Sequence, residues 1–469
     1  MFHWNCRNNG TCTKEDTMKT PVWAKLGALL FLFLAACEPS GSLPGDTPRN
    51  VIFLLGDGMG FAHVKAYRMY ADDPSTDLVD PLPIDEYLVG SVATDSIRLN
   101  CVEGTEADCT RDPFGFTDSA SAATAYATGQ DTVIGRLSMS PSGQEMATIL
   151  EAACKHGKST GLVATSQLTH ASPAAFGSHV ESREQAADIA DQYFDRQWNA
   201  EPFVDVLLGG GLNNMQRSDR DLVAEFRQAG YEVALDRSEL HGMQGGRLLG
   251  LFAPEGLPRA WDRGDETPSL AEMTGVALRV LDKNPQGFFL LVEGSEVDWA
   301  SHDSSIAGVI SEMEDFIAAI RVVLDFARQS GDTLVVVTAD HETGGLSLGR
   351  DDIYRWNPRP LRGVERTPAA MTSTFLASRE LLSKVVAGSV PFELSSAEIE
   401  ALDSAVREEW AARTAISTLF NKRTLTDWSS PGHTGVDVPL YAYGPGSERF
   451  HGVMQNEAVG QTLWNVFLP

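Results

Sequence analysis

Positive charge is what this chain has least of. Lysine and arginine number 37 against 64 aspartates and glutamates, a formal charge of −27 over 469 residues. Binding a phosphate backbone needs clustered basic side chains, so nucleic acid is excluded as the main partner. The surface is expected to repel itself and stay soluble. That charge says nothing against a small anion captured by metal ions. Long hydrophobic runs are missing as well: the apolar stretch Leu26 to Ala36 is too short for a comfortable membrane span. Internal repeats and extended low-complexity tracts are absent too, and cysteine is sparse, with six in the chain. A hydrophobic content of 43% still allows a substantial core.

What is there begins with an address. Met18-Lys19 and Lys25 place basic charge before the Leu26–Ala36 stretch, which ends in Leu34-Ala35-Ala36-Cys37. This pattern is similar to a bacterial lipoprotein signal, cleaved before Cys37, which then carries lipid. Residues 1–36 therefore read as a signal segment, with Met18 as an alternative start to Met1. Residues 37–48, rich in Pro, Gly and Ser, read as a flexible tether. The expected location is exported, periplasmic or at the cell surface, held to a membrane through Cys37. Cys101 and Cys109 bracket a short polar loop and could pair in an oxidising compartment. Cys154 sits in an apolar helical pattern and reads as a small buried hydrophobe.

From residue 49 onward, strand-like and helix-like runs alternate. Val51-Ile52-Phe53-Leu54-Leu55 is continuously apolar, as a buried parallel strand requires. Similar runs cover residues 161–165, 204–208, 288–292, 334–338 and 440–443. Helical patterns over 145–156, 182–195, 222–229, 270–282 and 306–329 separate them. The expected fold class is α/β, a three-layer arrangement with a mainly parallel central sheet and helices on both faces. The pattern weakens over about 351–430, where helices are expected at 372–386 and 395–420. That segment reads as an insertion in one domain spanning 49–469.

Ionisable residues gather just beyond the ends of these strands, the edge where open α/β sheets bind ligands. Asp57 follows the first in Gly56-Asp57-Gly58-Met59-Gly60. His170 and Ser172 follow the second, Glu293 and Asp298 follow the 288–292 run, and Asp340-His341 follow the 334–338 run. Asp298 and His302 are four apart and can meet on one helical face, and His433 lies in a glycine-flanked loop. Imidazole nitrogens mixed with carboxylates are the donors zinc prefers at catalytic sites. Asp57, Ser172 and Glu293 offer oxygen only, which suits a harder ion such as magnesium. Thr117-Asp118-Ser119 opens an alanine-rich run: Asp118 can cap a helix whose first turn presents the Ser119 hydroxyl among free N–H groups. His179 and His451 read as packing or local hydrogen-bonding residues.

As a set these blocks resemble the alkaline phosphatases. The matching stretches are Asp57-Gly58-Met59-Gly60, Thr117-Asp118-Ser119, His170-Ala171-Ser172-Pro173, Val292-Glu293-Gly294, Asp298 with His302, Thr338 to Gly345, and His433-Thr434-Gly435. The resemblance implies hydrolysis of phosphate monoesters through a phosphoserine at Ser119, with two zinc ions and one magnesium. It implies Asp298, His302 and His433 on the first zinc and Asp57, Asp340 and His341 on the second. Magnesium would lie on Asp57, Ser172 and Glu293, and Arg183 would clamp the phosphate. His170 and Trp299 stand at positions that vary in the family, around the magnesium and the phosphate. A phosphodiesterase or sulfatase on the same fold generally lacks the third-metal set and the arginine, and a silent binding protein would lack a ligand or the nucleophile. The partners expected are small phosphomonoesters over a broad range; the resemblance allows a homodimer, since the family often dimerises, but no interface can be read from the sequence. No pocket for a particular leaving group can be read from the sequence.

Overall fold

The computed structural model describes residues 47–96, 98–100, 110–112 and 115–468. The signal segment with Cys37, most of the tether, and the Cys101 and Cys109 pair lie outside them. Ten strands make the main sheet: β1 (Asn50–Gly56), β2 (Leu88–Ala93), β3 (Ser159–Gln167), β4 (Val206–Gly210), β5 (Glu232–Ala234), β6 (Leu248–Leu251), β7 (Phe288–Gly294), β8 (Thr333–Thr338), β9 (Val438–Tyr443) and β10 (Gly452–Gln455). Their order across the sheet is β10-β2-β9-β8-β1-β7-β3-β4-β6-β5. Every pairing in it is parallel except the two made by β9. The mainly parallel α/β sheet is thus as the sequence predicts, with one antiparallel strand inserted.

β1 occupies the centre because both its faces are apolar. It pairs with β7 from Val51↔Phe289 to Gly56↔Gly294 and with β8 from Asn50↔Thr333 to Leu55↔Thr338. All seven of its residues are buried. One polar side chain at its start, Asn50, donates its amide N–H to the Thr333 hydroxyl at 3.0 Å. Side chains alternate between faces. Phe53 meets the rings of Tyr126 and Phe176 at 5.1 and 6.1 Å. On the opposite face, Gly56 and its partner Gly294 lie under the Phe316 ring. A Cβ at these positions would approach that ring to 3.0 and 2.8 Å, so hydrogen is the largest substituent that fits.

The helices form two packed groups, as a sheet covered on both faces requires. Phe61–Ala71, Leu270–Leu281 and Glu296–His302 each pack on the long helix Ile306–Ser330. Ser119–Thr128, Ile149–Lys155, Ala171–Gly177 and Asn456–Phe467 make the other group. Within 351–430 the structure has four helices rather than the two expected: Pro368–Ala377, Leu382–Ala387, Ser396–Asp403 and Glu409–Thr424. The breaks are local. Ser378 turns extended at ψ 179°, and the 395–420 pattern stops at Asp403 and restarts at Glu409 after Glu408 turns extended at ψ 146°. Glu409–Thr424 packs on Pro368–Ala377 and on the long Ile306–Ser330 helix. Among the described residues no helix is long and apolar enough to cross a membrane.

Phe53 tests the central core. Phe53→Ala is expected to cost about 3–5 kcal/mol in denaturant unfolding at an unchanged slope. A cost under 1 kcal/mol by the same measurement, about what an exposed site shows, would place the ring outside the core.

Candidate active site

The four central parallel strands β8, β1, β7 and β3 end side by side, and each delivers polar groups at its carboxyl end. Asp57 follows β1, Glu293 is the penultimate residue of β7, Asp340 and His341 follow β8, and after β3 His170 and Ser172 stand at the start of helix Ala171–Gly177. Asp57, Glu293, Asp340, His341 and Ser172 are all fully buried. Helix Glu296–His302 brings Asp298 and His302 onto one face, with His302 Nε2 3.2 Å from Asp298 Oδ2. His433 Nε2 lies 3.8 Å from Asp298 Oδ1, so Asp298 stands between the two imidazoles.

Backbone carbonyls and a hydroxyl decide which nitrogens are free. His302 Nδ1–H donates to the Pro431 carbonyl at 2.6 Å, and His433 Nδ1–H to that of Thr117 at 3.1 Å. Thr343 donates its hydroxyl to Asp298 Oδ1 at 2.5 Å, so it can only accept from His341 Nδ1–H at 3.1 Å. These partners protonate Nδ1 in each ring and leave Nε2 to the cluster, the arrangement of metal-ligating histidines. Ser119, 2% exposed, begins helix Ser119–Thr128, and its hydroxyl meets His341 Nε2 at 3.2 Å.

Asp118 caps that helix as expected, accepting from the Ser121 N–H at 3.0 Å. It also accepts from the Gly135 N–H at 3.2 Å and from Arg183 Nη1 at 3.1 Å. Arg183 is not on a helix. The expected 182–195 helix begins at Ala186, because Ser182 and Gln185 bond their own backbone in a turn before it. Arg183 Nη2 reaches His170 Nε2 at 3.2 Å. His170 also packs edge-to-face on Trp299 at 5.5 Å, and Trp299 fits because residue 256 is glycine: a Cβ there would lie 2.8 Å from the indole.

A buried sheet edge tolerates this much charge only with compensation, and the protein supplies little. Both oxygens of Asp57, one each of Asp340 and Glu293, the Ser172 hydroxyl and His170 Nδ1 are buried without a hydrogen-bond partner. Burial, then the charges of Asp340, Asp298 and Glu293, hold the Asp57 carboxyl well above the usual range. Burial pushes Glu293 from the ordinary 4.5 up to about 7. Although burial opposes it, Asp298 is held low by the hydrogen bond and charge of His302 and by His341. Its partner His302 is raised to about 9, first by that same hydrogen bond.

Orphaned lone pairs converging from several carboxylates fit bound cations. Three sets bring one donor atom each within 4.8 Å of one another: Asp57 with Asp340 and His341, Asp298 with His341 and His433, and Asp57 with Glu293 and His170. His170 thus comes closer to Asp57 and Glu293 than the surrounding position the sequence suggests for it. Sequence reading also passes over Thr343, which orients His341 and Asp298, and Glu342. The Glu342 carboxylate accepts from the N–H groups of Gly345 and Leu346 and from the Thr434 hydroxyl, tying the His341 loop to the His433 strand. Both lie inside the Asp340–Gly345 block, where a polar residue beside a ligand was the available signal.

A buried nest of cation-ready carboxylates and imidazoles, with a capped serine and an arginine fork beside it, defines a metal-dependent hydrolase. Residues 48–467 match the family model described as alkaline phosphatase. Alkaline phosphatase 3 of Bacillus subtilis (strain 168) is 43% identical over 94% of this chain and 95% of its own length. The crystal structure of a cold-active alkaline phosphatase from a psychrophilic Shewanella sp. superposes with a TM-score of 0.79 at 34% identity, covering 90% of this chain and all of that one. A histidine-to-glutamate variant of TAB5 alkaline phosphatase, with magnesium bound in its M3 site, has a TM-score of 0.61 at 27% identity over 90% of this chain and 98% of that one. The chain belongs to the alkaline phosphatase family, metal-dependent hydrolases of phosphoric monoesters.

The raised Glu293 carboxyl has a readable consequence. A carboxyl whose folded pKa is raised favours the fold below its unfolded value near 4.5, and that contribution is lost as pH rises toward 7. In chelator-treated protein, thermal melting of Glu293→Gln is therefore expected to gain on wild type as pH rises through this range. Zinc and magnesium should reverse the order, because the wild-type carboxylate then has a cation to face. Wild type gaining on the variant in chelator would show that the charge is compensated within the protein.

Proposed function

We propose that this enzyme hydrolyses phosphate monoesters by transfer of the phosphoryl group to Ser119 and then to water. The observation that carries the reading is the Ser119 hydroxyl, aimed at His341 Nε2 from a helix N-terminus and flanked by the Asp118-held fork of Arg183. Asp298, His302 and His433 would hold one zinc ion, Asp57, Asp340 and His341 a second, and Asp57, Ser172 and Glu293 a magnesium ion, with His170 and Trp299 alongside. Bound there, such ions supply Lewis acidity and lower the pKa of hydroxyl groups beside them. Magnesium in the M3 site of the TAB5 variant supports that ion for the third position.

The chain's own residues do the positioning. The Asp118 cap fixes the start of the helix and so the direction of the Ser119 Oγ. The same carboxylate fixes Arg183, whose planar fork suits two phosphate oxygens. Attack of Ser119 Oγ on phosphorus, in line with the ester oxygen, forms one P–O bond and breaks that to the alcohol. The arginine and the free N–H groups of the helix start offset charge on the equatorial oxygens. Water then attacks the phosphoserine, releases inorganic phosphate and restores the hydroxyl. Burial of Ser119 keeps bulk water away from the first step.

Parallel assays of an aryl phosphate, a phosphate diester and a sulfate ester test the reading. Monoester turnover is expected to dominate, to vanish with chelator and return with zinc and magnesium, and to fall at least about a thousandfold in Ser119→Ala. Preferential diester turnover would sink it. We also infer export and membrane attachment through Cys37, supported by Lys25, the Leu26–Ala36 stretch and Leu34-Ala35-Ala36-Cys37. In a bacterial host, Cys37→Ser should move the protein from the membrane to the soluble fraction and abolish incorporation of labelled fatty acid. Continued labelling of the variant would refute the anchor.

A further inference from the structure

A groove of about 590 Å³ opens against the exposed edge of His302. It is lined by His302, Asp303 and Pro431 and by Trp410, Arg413 and Thr414 of helix Glu409–Thr424. Two observations connect it to the reacting centre. Ser119, Asp57 and His341 are at most 2% exposed, whereas the side chains of His433 and His302 are 21% and 39% exposed. The cluster therefore opens to solvent along Arg183, whose side chain is 23% exposed, and along His433 and His302. The rings also step away from the nucleophile: His341 touches Ser119, His433 stacks on His341 at 3.5 Å, and His302 lies 5.3 Å beyond His433. In-line displacement puts the leaving oxygen opposite Ser119, so the departing alcohol extends along this line and into the groove.

The groove's chemistry narrows that alcohol. Trp410 leaves 69% of its surface in solvent although its helix neighbours Ala412, Ile416 and Phe420 are buried. Its indole N–H donates to the exposed Glu408 carboxylate at 3.1 Å. Arg413 is already engaged: Nη1 donates to both Asp303 oxygens at 3.2 Å and Nη2 pairs with Glu409. The groove thus presents a flat aromatic face and an arginine whose charge is spent, a poor receptor for a second anionic group and a good one for a ring.

We propose that this groove is the leaving-group subsite and that Trp410 favours phosphate monoesters of alcohols carrying a planar aromatic ring. The proposal rests on the reading of Ser119 as nucleophile. The test compares kcat/KM for 1-naphthyl phosphate and glycerol 2-phosphate in the full chain loaded with zinc and magnesium. In Trp410→Ala the naphthyl-to-glycerol ratio is expected to fall roughly fivefold, mostly through KM for the naphthyl ester. Trp410→Phe should restore most of it, and Thr414→Arg, which fills the groove, should lower it again. An unchanged ratio in Trp410→Ala, with both esters still turned over, overturns the proposal. So does a Trp410-dependent dimer without a change in ratio, which would give the face to a second copy. If wild type hydrolyses neither ester, the reading of Ser119 fails, and the subsite with it.

Discussion

Carboxylates crowded where water cannot reach them are the constraint on which this structure turns. Asp57, Glu293, Asp340 and Asp298 are brought together at the carboxyl ends of adjacent strands, in a region of low dielectric. Arg183, which flanks the cluster, has its Nη1 committed to Asp118. Left alone, such a cluster opposes folding, and burial with like charges nearby raises the Asp57 and Glu293 carboxyls accordingly. Cations relieve it. The fold therefore stores affinity for metal as electrostatic strain that its central strands are stiff enough to hold.

Everything around the cluster serves direction rather than charge. Thr343 and two backbone carbonyls turn three imidazoles so that Nε2 faces inward. Glu342 fastens the His341 loop to the strand bearing His433. Asp118 joins nucleophile to arginine through one carboxylate, so a shift of the Ser119 helix moves both. The helix dipole itself is a minor partner, because a half-charge at an N-terminus is small beside divalent ions and a guanidinium.

The central strands were legible because burial on both faces demands unbroken apolar sequence, and the runs around Val51, Phe288 and Leu334 have it. The edges were not. β5 has three residues, and β10 is mostly exposed, so neither carries a readable period. Pattern could place the 440–443 run in a strand but not its direction, since an antiparallel neighbour in a parallel sheet has the same composition. Local turn chemistry likewise overrode the helical period at Arg183, and extended backbone at Glu408 split the 395–420 pattern in two.

For the site, the sequence by itself determined the inventory: which donors exist, that they follow strand ends, and that Asp118 would cap Ser119. Short-range rules govern those features, so spacing along the chain suffices to read them. Tertiary structure alone decided which donors meet. It drew His170 within reach of Asp57 and Glu293, put Asp298 between two imidazoles, and set Trp410 beside His302 although more than a hundred residues separate them. Those juxtapositions depend on strand order and on how the insertion packs against the Ile306–Ser330 helix. Both follow from burying apolar faces across the whole domain, a condition no local stretch of sequence expresses.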